Sequence, residues 1–265
     1  MNEYLEAIIL GIVQGLTEFL PVSSDGHLEL AKWLLGNSDS AADSFALTII
    51  LHFGTLFAIV WVFRHTILDL IKKLNKPEGW KFVLLIIVSM IPAVIIGVGF
   101  ESQMIALFDK KIFLVAAFLM INGIMLIVSD YLPAGNKPIT PLKAFIIGIF
   151  QAIAILPGIS RSGSTIVSSV GLGIDRSEAA NFSFLMVIPL LFGKMAKDLT
   201  EGNISFTDAK MFPSLVGFLC ALFVGIFACR LMLAFVKKAR LSYFGFYCIA
   251  VGIAAIILRI WVWPN

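Results

Sequence analysis

The chain has 265 residues, of which 59% are hydrophobic and only 14% charged, with 23 Phe and a formal net charge of +3; its mean hydropathy is +0.97. A soluble protein carries about 25% charged residues, so the composition excludes an ordinary water-soluble core and points to a polytopic membrane protein. The small net charge says little beyond loop charge, no nucleic-acid partner is expected, and Cys220, Cys229 and Cys248 lie in apolar stretches that imply no disulfide framework.

The opening Met1-Asn2-Glu3-Tyr4-Leu5-Glu6 lacks a basic n-region and a small-residue cleavage site, so it is expected to be mature protein rather than a signal peptide. The first apolar stretch, 4–20 and 28–36, is split by Leu20-Pro21-Val22-Ser23-Ser24-Asp25-Gly26-His27. Each leg is too short to cross a bilayer, which needs about 20 residues, and suggests a re-entrant hairpin. Runs of spanning length follow at 43–64, 80–100 and 111–131. The pattern then recurs: legs 142–156 and 164–174, broken by Leu156-Pro157-Gly158-Ile159-Ser160-Arg161-Ser162-Gly163-Ser164-Thr165, and runs 179–199, 211–236 and 242–263. Gly11-Ile12-Val13-Gln14 and Gly148-Ile149-Phe150-Gln151 open the two hairpins alike.

The expected fold is therefore an all-α polytopic membrane protein with about six transmembrane helices plus two re-entrant helical hairpins. An odd number of spans separates the hairpins, so the two halves, 1–131 and 132–265 of a single membrane domain 1–265, are expected to form an inverted-topology repeat. Irregular backbone at membrane depth is tolerated only where protein or water covers it, so both breaks should face an internal cavity. Arg64, Lys72, Lys73, Lys76 and Lys81 in the 64–81 loop, and Lys237, Lys238 and Arg240, predict cytoplasmic sides there. Counting spans places 1–42, 101–110, 200–210 and the C-terminus outside and 132–178 inside. Trp61, Trp80, Trp261 and Trp263 fall at predicted span ends, as an aromatic belt requires.

A chain that breaks at Pro and restarts as a helix presents free N–H groups and a positive dipole end, which suits an anion. Ser23, Ser24, Ser160, Arg161 and Ser162 supply donors at these restarts, and Gly158 and Gly163 permit a phosphate-cradling backbone. Arg161 adds a planar fork matched to phosphate oxygens. If a helix begins near Ser23, either Ser23 or Ser24 shares a face with His27. That pairs a nucleophile with a base, or leaves His27 to activate water. Gln14 and Glu18 also share a face, to hold a divalent cation or to orient His27; alternatively Glu18 and His27 are a buried structural pair. Intramembrane ionisable groups favour function.

His52 is expected to be a helix-packing residue, with cavity lining as its alternative, and Gly97 and Gly99 to be packing positions. Glu29 is placed near the hairpin exit, and Asp175, Arg176 and Glu178 at a loop and helix start. No P-loop, dinucleotide fingerprint, Cys-x-x-Cys pair or His-Glu-x-x-His motif is present, so no organic cofactor or zinc is expected.

Gln14-x-x-x-Glu18, Leu20-Pro21-Val22-Ser23-Ser24, Gly26-His27, and Pro157-Gly158-Ile159-Ser160-Arg161-Ser162-Gly163 with Thr165 resemble the undecaprenyl-diphosphate phosphatase, or bacitracin-resistance, family over essentially the whole chain. The resemblance implies a bacterial inner-membrane enzyme that removes the terminal phosphate of a polyprenyl diphosphate lipid, recycling the carrier of cell-wall synthesis. It implies a site open to the outer, periplasmic face, contact with membrane lipids and a homodimer. Carried over, it makes Glu18 and His27 essential, Ser24 the nucleophile and Arg161 the phosphate clamp, with Ser160 and Thr165 assisting; Mg2+ or Ca2+ would sit near Glu18. Asp25 departs from the family pattern, where Ser or Thr is usual. It would repel a diphosphate unless neutralised, cap the half-helix, or serve as a metal ligand. The alternative function is a polyprenyl-phosphate flippase or small-anion transporter, since broken helices in inverted repeats also build carriers.

Overall fold

The structure is a computed structural model that describes residues 2–36, 41–100, 111–133, 135–200, 208–238 and 240–261; for 41–45, 208–210, 237 and 238 the backbone alone is described. Among the described residues there are ten α-helices and no strand. They are α1 (Glu3–Phe19), α2 (Ser24–Leu34), α3 (Ala41–Lys73), α4 (Pro77–Gly99) and α5 (Ile112–Ser129), then α6 (Pro141–Ile153), α7 (Arg161–Gly171), α8 (Arg176–Thr200), α9 (Asp208–Lys238) and α10 (Ser242–Trp261). Six of them, α3, α4, α5, α8, α9 and α10, are long and apolar enough to cross a membrane. The chain is a multi-pass membrane protein.

Local sequence explains where the short helices stop and start. Leu20 precedes Pro21, which disfavours helical backbone at the preceding residue, and α1 ends there with Leu20 extended. Ser23 caps α2, its Oγ accepting from Gly26 N at 3.3 Å. Ser160 caps α7 in the same way, accepting from Gly163 N at 3.1 Å. Thr140 caps α6 ahead of Pro141, which suits the first helical position. Asp175 Oδ1 accepts from Ser177 N and Glu178 N at the start of α8, the loop and helix start expected there.

The largest departure from the predicted boundaries is α3, which runs to Lys73 rather than stopping at 64. The basic segment taken for a loop over 64–81 is mostly helix, with only 74–76 between α3 and α4. Lys and Arg are good helix formers, so a falling hydropathy marks the edge of an apolar stretch without ending the helix. Trp61 accordingly lies within α3, where Arg64 stacks over its ring at 4.6 Å. Lys237 and Lys238 likewise belong to the last turn of α9. Trp263, the predicted loop 101–110 and most of the predicted loop 200–210 lie outside the described residues.

Helices in lipid gain little from burying one apolar face against another, so close backbone approach through small residues matters more. Here α1 packs on α9, α4 on α6 and α5 on α10. Gly123 and Gly245 make the α5–α10 contact reciprocally: a Cβ at either would stand 2.6 Å from the other's carbonyl oxygen. A Cβ at Gly11 would stand 2.5 Å from Gly217 O, and Gly148 abuts Ser89 of α4. Gly97 and Gly99, expected at such contacts, are not: the nearest atom to a Cβ at Gly97 is 3.9 Å away and Gly99 has open space. The apolar window of α8 is 56% buried against 22% for α4 and α10, so α8 runs through the interior, packing on α7 and α3 and meeting α1 where Phe184 lies against Phe19.

Candidate functional site

The two Pro breaks meet. Asn122 of α5 joins them, donating through Nδ2 to Pro21 O at 2.9 Å and accepting through Oδ1 from Ser160 N at 3.0 Å. Ser162 Oγ donates to Leu20 O at 3.3 Å. Gly26 lies against Gly158 and Gly163 against Pro21, so each half-helix start abuts the other hairpin's break. Gly158 has φ 108°, a conformation that needs glycine. Ser23 reaches φ 71° without being glycine, a strained backbone at the residue that leads into α2.

Glu18, 6% exposed, is the hub. Its Oε1 pairs with Arg161 Nη2 from the other hairpin. Its Oε2 accepts from Ser24 Oγ at 2.7 Å and from Gln14 Nε2 at 3.1 Å. Gln14, fully buried, also donates to Thr55 Oγ1 of α3 at 3.3 Å. Ser24 and Arg161 each follow a serine cap, so the first residue of each half-helix reaches the same carboxylate. Opposite charges so placed offset the desolvation that an isolated buried carboxylate suffers.

The other candidates lie around this hub. His27 Nδ1 is 2.8 Å from Ser23 O, and a carbonyl only accepts, so Nδ1 carries a proton. In the neutral ring Nε2 then accepts from Tyr247 OH of α10 at 3.0 Å, and the two rings stack 5.5 Å apart. Both His27 nitrogens are thus engaged, and the Ser24 hydroxyl is given to Glu18. Ser160 Oγ and Ser162 Oγ lie 3.1 Å apart. Thr165 Oγ1 donates back to Arg161 O at 2.8 Å and meets Ser183 Oγ of α8 at 2.5 Å. Asp25, with its side chain 40% exposed beside Ser24, stands 3.6 Å from His52 Nε2. His52 is therefore part of the charged cluster rather than a packing residue alone. Glu29 bonds Lys32 at 3.2 Å on the outgoing leg.

Motif symmetry does not extend to site symmetry. Gln151, placed in the second hairpin as Gln14 is in the first, is buried with no hydrogen bond to the described protein from either amide atom. Asn122, Thr55, Tyr247 and His52 are the members that sequence pattern did not assign to the site. Asn122 carried a signal, a lone amide inside the apolar run 111–131, where polar groups at membrane depth deserve a partner. Tyr247 carried none, since an aromatic in a span most often packs.

Comparison with known proteins shows the family. The profile of the family described as Bacitracin resistance protein BacA matches residues 7–254. A relative from Christiangramia forsetii, named undecaprenyl-diphosphatase, is 48% identical over 258 residues, covering 96% of this chain and 98% of its own. Relatives of the same name from Bacteroides fragilis and Halothermothrix orenii are 38% and 39% identical, each covering 97% of this chain and 98% of theirs. With the match covering residues 7–254, nearly the whole chain, the protein belongs to the BacA bacitracin-resistance family.

Proposed function

We propose that this protein is an undecaprenyl-diphosphatase, which removes the terminal phosphate of the polyprenyl diphosphate carrier, supports cell-wall synthesis and confers bacitracin resistance. The observation that carries it is the convergence of Ser24 and Arg161, from two opposed half-helix starts, on the one carboxylate of Glu18. The arrangement supplies a hydroxyl nucleophile, a base already holding its proton and a bidentate cation, which phosphoryl transfer needs.

The diphosphate head enters between the hairpins and its terminal phosphate draws Arg161 from Glu18 onto phosphate oxygens. Losing that guanidinium makes Glu18 a stronger base. Ser24 Oγ then attacks the phosphorus in line, its proton passing to Glu18 Oε2, while the bond from phosphorus to the bridging oxygen breaks and polyprenyl monophosphate leaves. Water hydrolyses the phosphoserine, giving inorganic phosphate and returning the proton to Ser24. Arg161 and the N–H groups of α2 and α7 stabilise the charge of both transition states, the largest expected term. His27 holds the Ser23 carbonyl and with it the strained entry to α2. Ser160, Ser162 and Gly163 shape the second anion cradle, and Thr165 ties it to α8.

Both oxygens of Glu18 are engaged, and among the described residues no group of three or more His, Cys, Asp and Glu is placed to hold a metal ion. Gln14, Glu18 and Asp25 do not fit a resident cation cage, so Mg2+ or Ca2+ is proposed to accompany the diphosphate. The inverted repeat belongs to the same proposal, supported by the reciprocal Gly123–Gly245 contact and the matching pairs α1–α9 and α6–α4. So do the re-entrant hairpins, an inner-membrane location, a site open to the outer face and a homodimer.

The test is release of phosphate from undecaprenyl diphosphate by purified protein in detergent, where transport has no meaning. Ser24→Ala and Arg161→Lys should each lose about 10²-fold or more in turnover, and mass spectrometry of a quenched reaction should find phosphate on Ser24. No release by folded protein that moves the lipid or an anion across liposomes would replace the phosphatase with the carrier.

A further inference from the structure

The start of α2 sets an acidic side chain where an anion is to bind. Asp25 is the second residue of that helix, next to Ser24. Its charge would repel a phosphate drawn to the same helix start. Across from it, His52 of α3 donates through Nδ1 to Thr48 O at 2.8 Å. A carbonyl only accepts, so that proton is fixed on Nδ1. Nε2 then faces Asp25 Oδ1 at 3.6 Å and Glu18 Oε2 at 4.0 Å. Nε2 is thus turned toward two carboxylates, a placement that suits an imidazole carrying a proton there, and an imidazolium paired with the Asp25 carboxylate has no net charge. The other charges acting on Asp25 are Glu18 and Arg161, paired with each other, and the exposed Lys194 of α8.

We infer that His52 is a positioning residue for the substrate's phosphates. It cancels the charge of Asp25 and holds that carboxylate on the α3 side. The Glu18–Arg161 and Asp25–His52 pairs then balance, so the charge of Asp25 is offset from within the site rather than by the solvent-exposed Lys194 alone. Asp25, awkward for an anion site when viewed in sequence, is thereby tolerated because of a residue on a different helix. This assignment rests on the phosphatase function proposed above for its substrate, and on the geometry alone for the pairing.

A double-mutant cycle tests it in full-length protein in detergent. His52→Gln should raise KM for undecaprenyl diphosphate about tenfold, the lower end of couplings between close charge pairs, with kcat changed less. In the Asp25→Asn background the same substitution should leave KM at the level of Asp25→Asn alone. A purely structural His52 would cost the same in both backgrounds, and that result, or an unchanged KM in His52→Gln, overturns the inference. His52→Asn repeats the cycle should the Gln variant fold poorly. The affinity for inorganic diphosphate, measured by calorimetry on the same four proteins, should show the same coupling without turnover. Coupling without phosphate release would sink the phosphatase proposal and leave the His52 assignment standing; release without coupling would do the reverse.

Discussion

At Ser23 the backbone and the side chain pull in different directions. Its φ of 71° strains any residue but glycine, while its hydroxyl caps α2 through Gly26 N. Strain of this kind costs about 1–3 kcal/mol, and a glycine cap falls short of serine by only a few tenths. Ser23→Gly is therefore expected to match or exceed the parent in melting temperature in detergent. Ser23→Ala keeps the strain and loses the cap, and should be less stable by about 1 kcal/mol. An alanine variant as stable as the glycine variant would show that neither effect operates. The strained residue directly precedes Ser24, the proposed nucleophile, and is expected to help hold its hydroxyl against Glu18. Ser23→Gly should on that account lose turnover while gaining stability.

At the scale of helices, small residues decide which elements touch. The α5–α10 pair is locked by two glycines that lie against each other's carbonyls. It is reinforced at one end by Asp130, whose oxygens accept from Leu241 N and Ser242 N at 3.0 and 3.1 Å and so cap α10. Gly245→Val should force these helices apart at a cost of about 1–3 kcal/mol, seen as a lower melting temperature. Because Asn122 and Tyr247 ride on the same two helices, activity should fall with it. Full stability in that variant would remove the close approach from the account. Much of this scale was legible in the sequence: the six long apolar runs, the two Pro breaks and the serine caps follow from local chemistry. The long extension of α3 was not, because helix propensity continues where hydropathy fades. Nor were the packing glycines, since Gly97 and Gly123 look alike until the partner helix is in place.

For the molecule as a whole, charge placement predicts the proposed orientation. Cysteines introduced at Lys73 and Arg240 are expected to react with an impermeant thiol reagent only from the cytoplasmic side, and one at Gly36 only from outside. Any reversed result among the three would break the proposed topology, since one span count yields all of them. The site was legible in part for the same reason that the topology was. Glu18, Ser24 and Arg161 stand out as polar groups at depth, and the resemblance of their motifs pointed to their roles. Which of them touch was not legible, because the Glu18–Arg161 pair, the Asn122 bridge and the His52–Asp25 pair are set by tertiary folding. The Ser24–His27 spacing suggested one hydrogen bond; folding gave each residue a different partner.

The distance along the chain between Glu18 and its cation also has a meaning in time. The pair is 143 residues apart, and chains grow at about 5–20 residues per second, so Glu18 exists for roughly 7–30 seconds before Arg161 has been made. The donors that reach its other oxygen, Gln14 and Ser24, are four and six residues away and are made within moments of it. In a newborn chain they are the interim company of the carboxylate. The ion pair can form only once Arg161 has been made, and it then ties the second hairpin to the first.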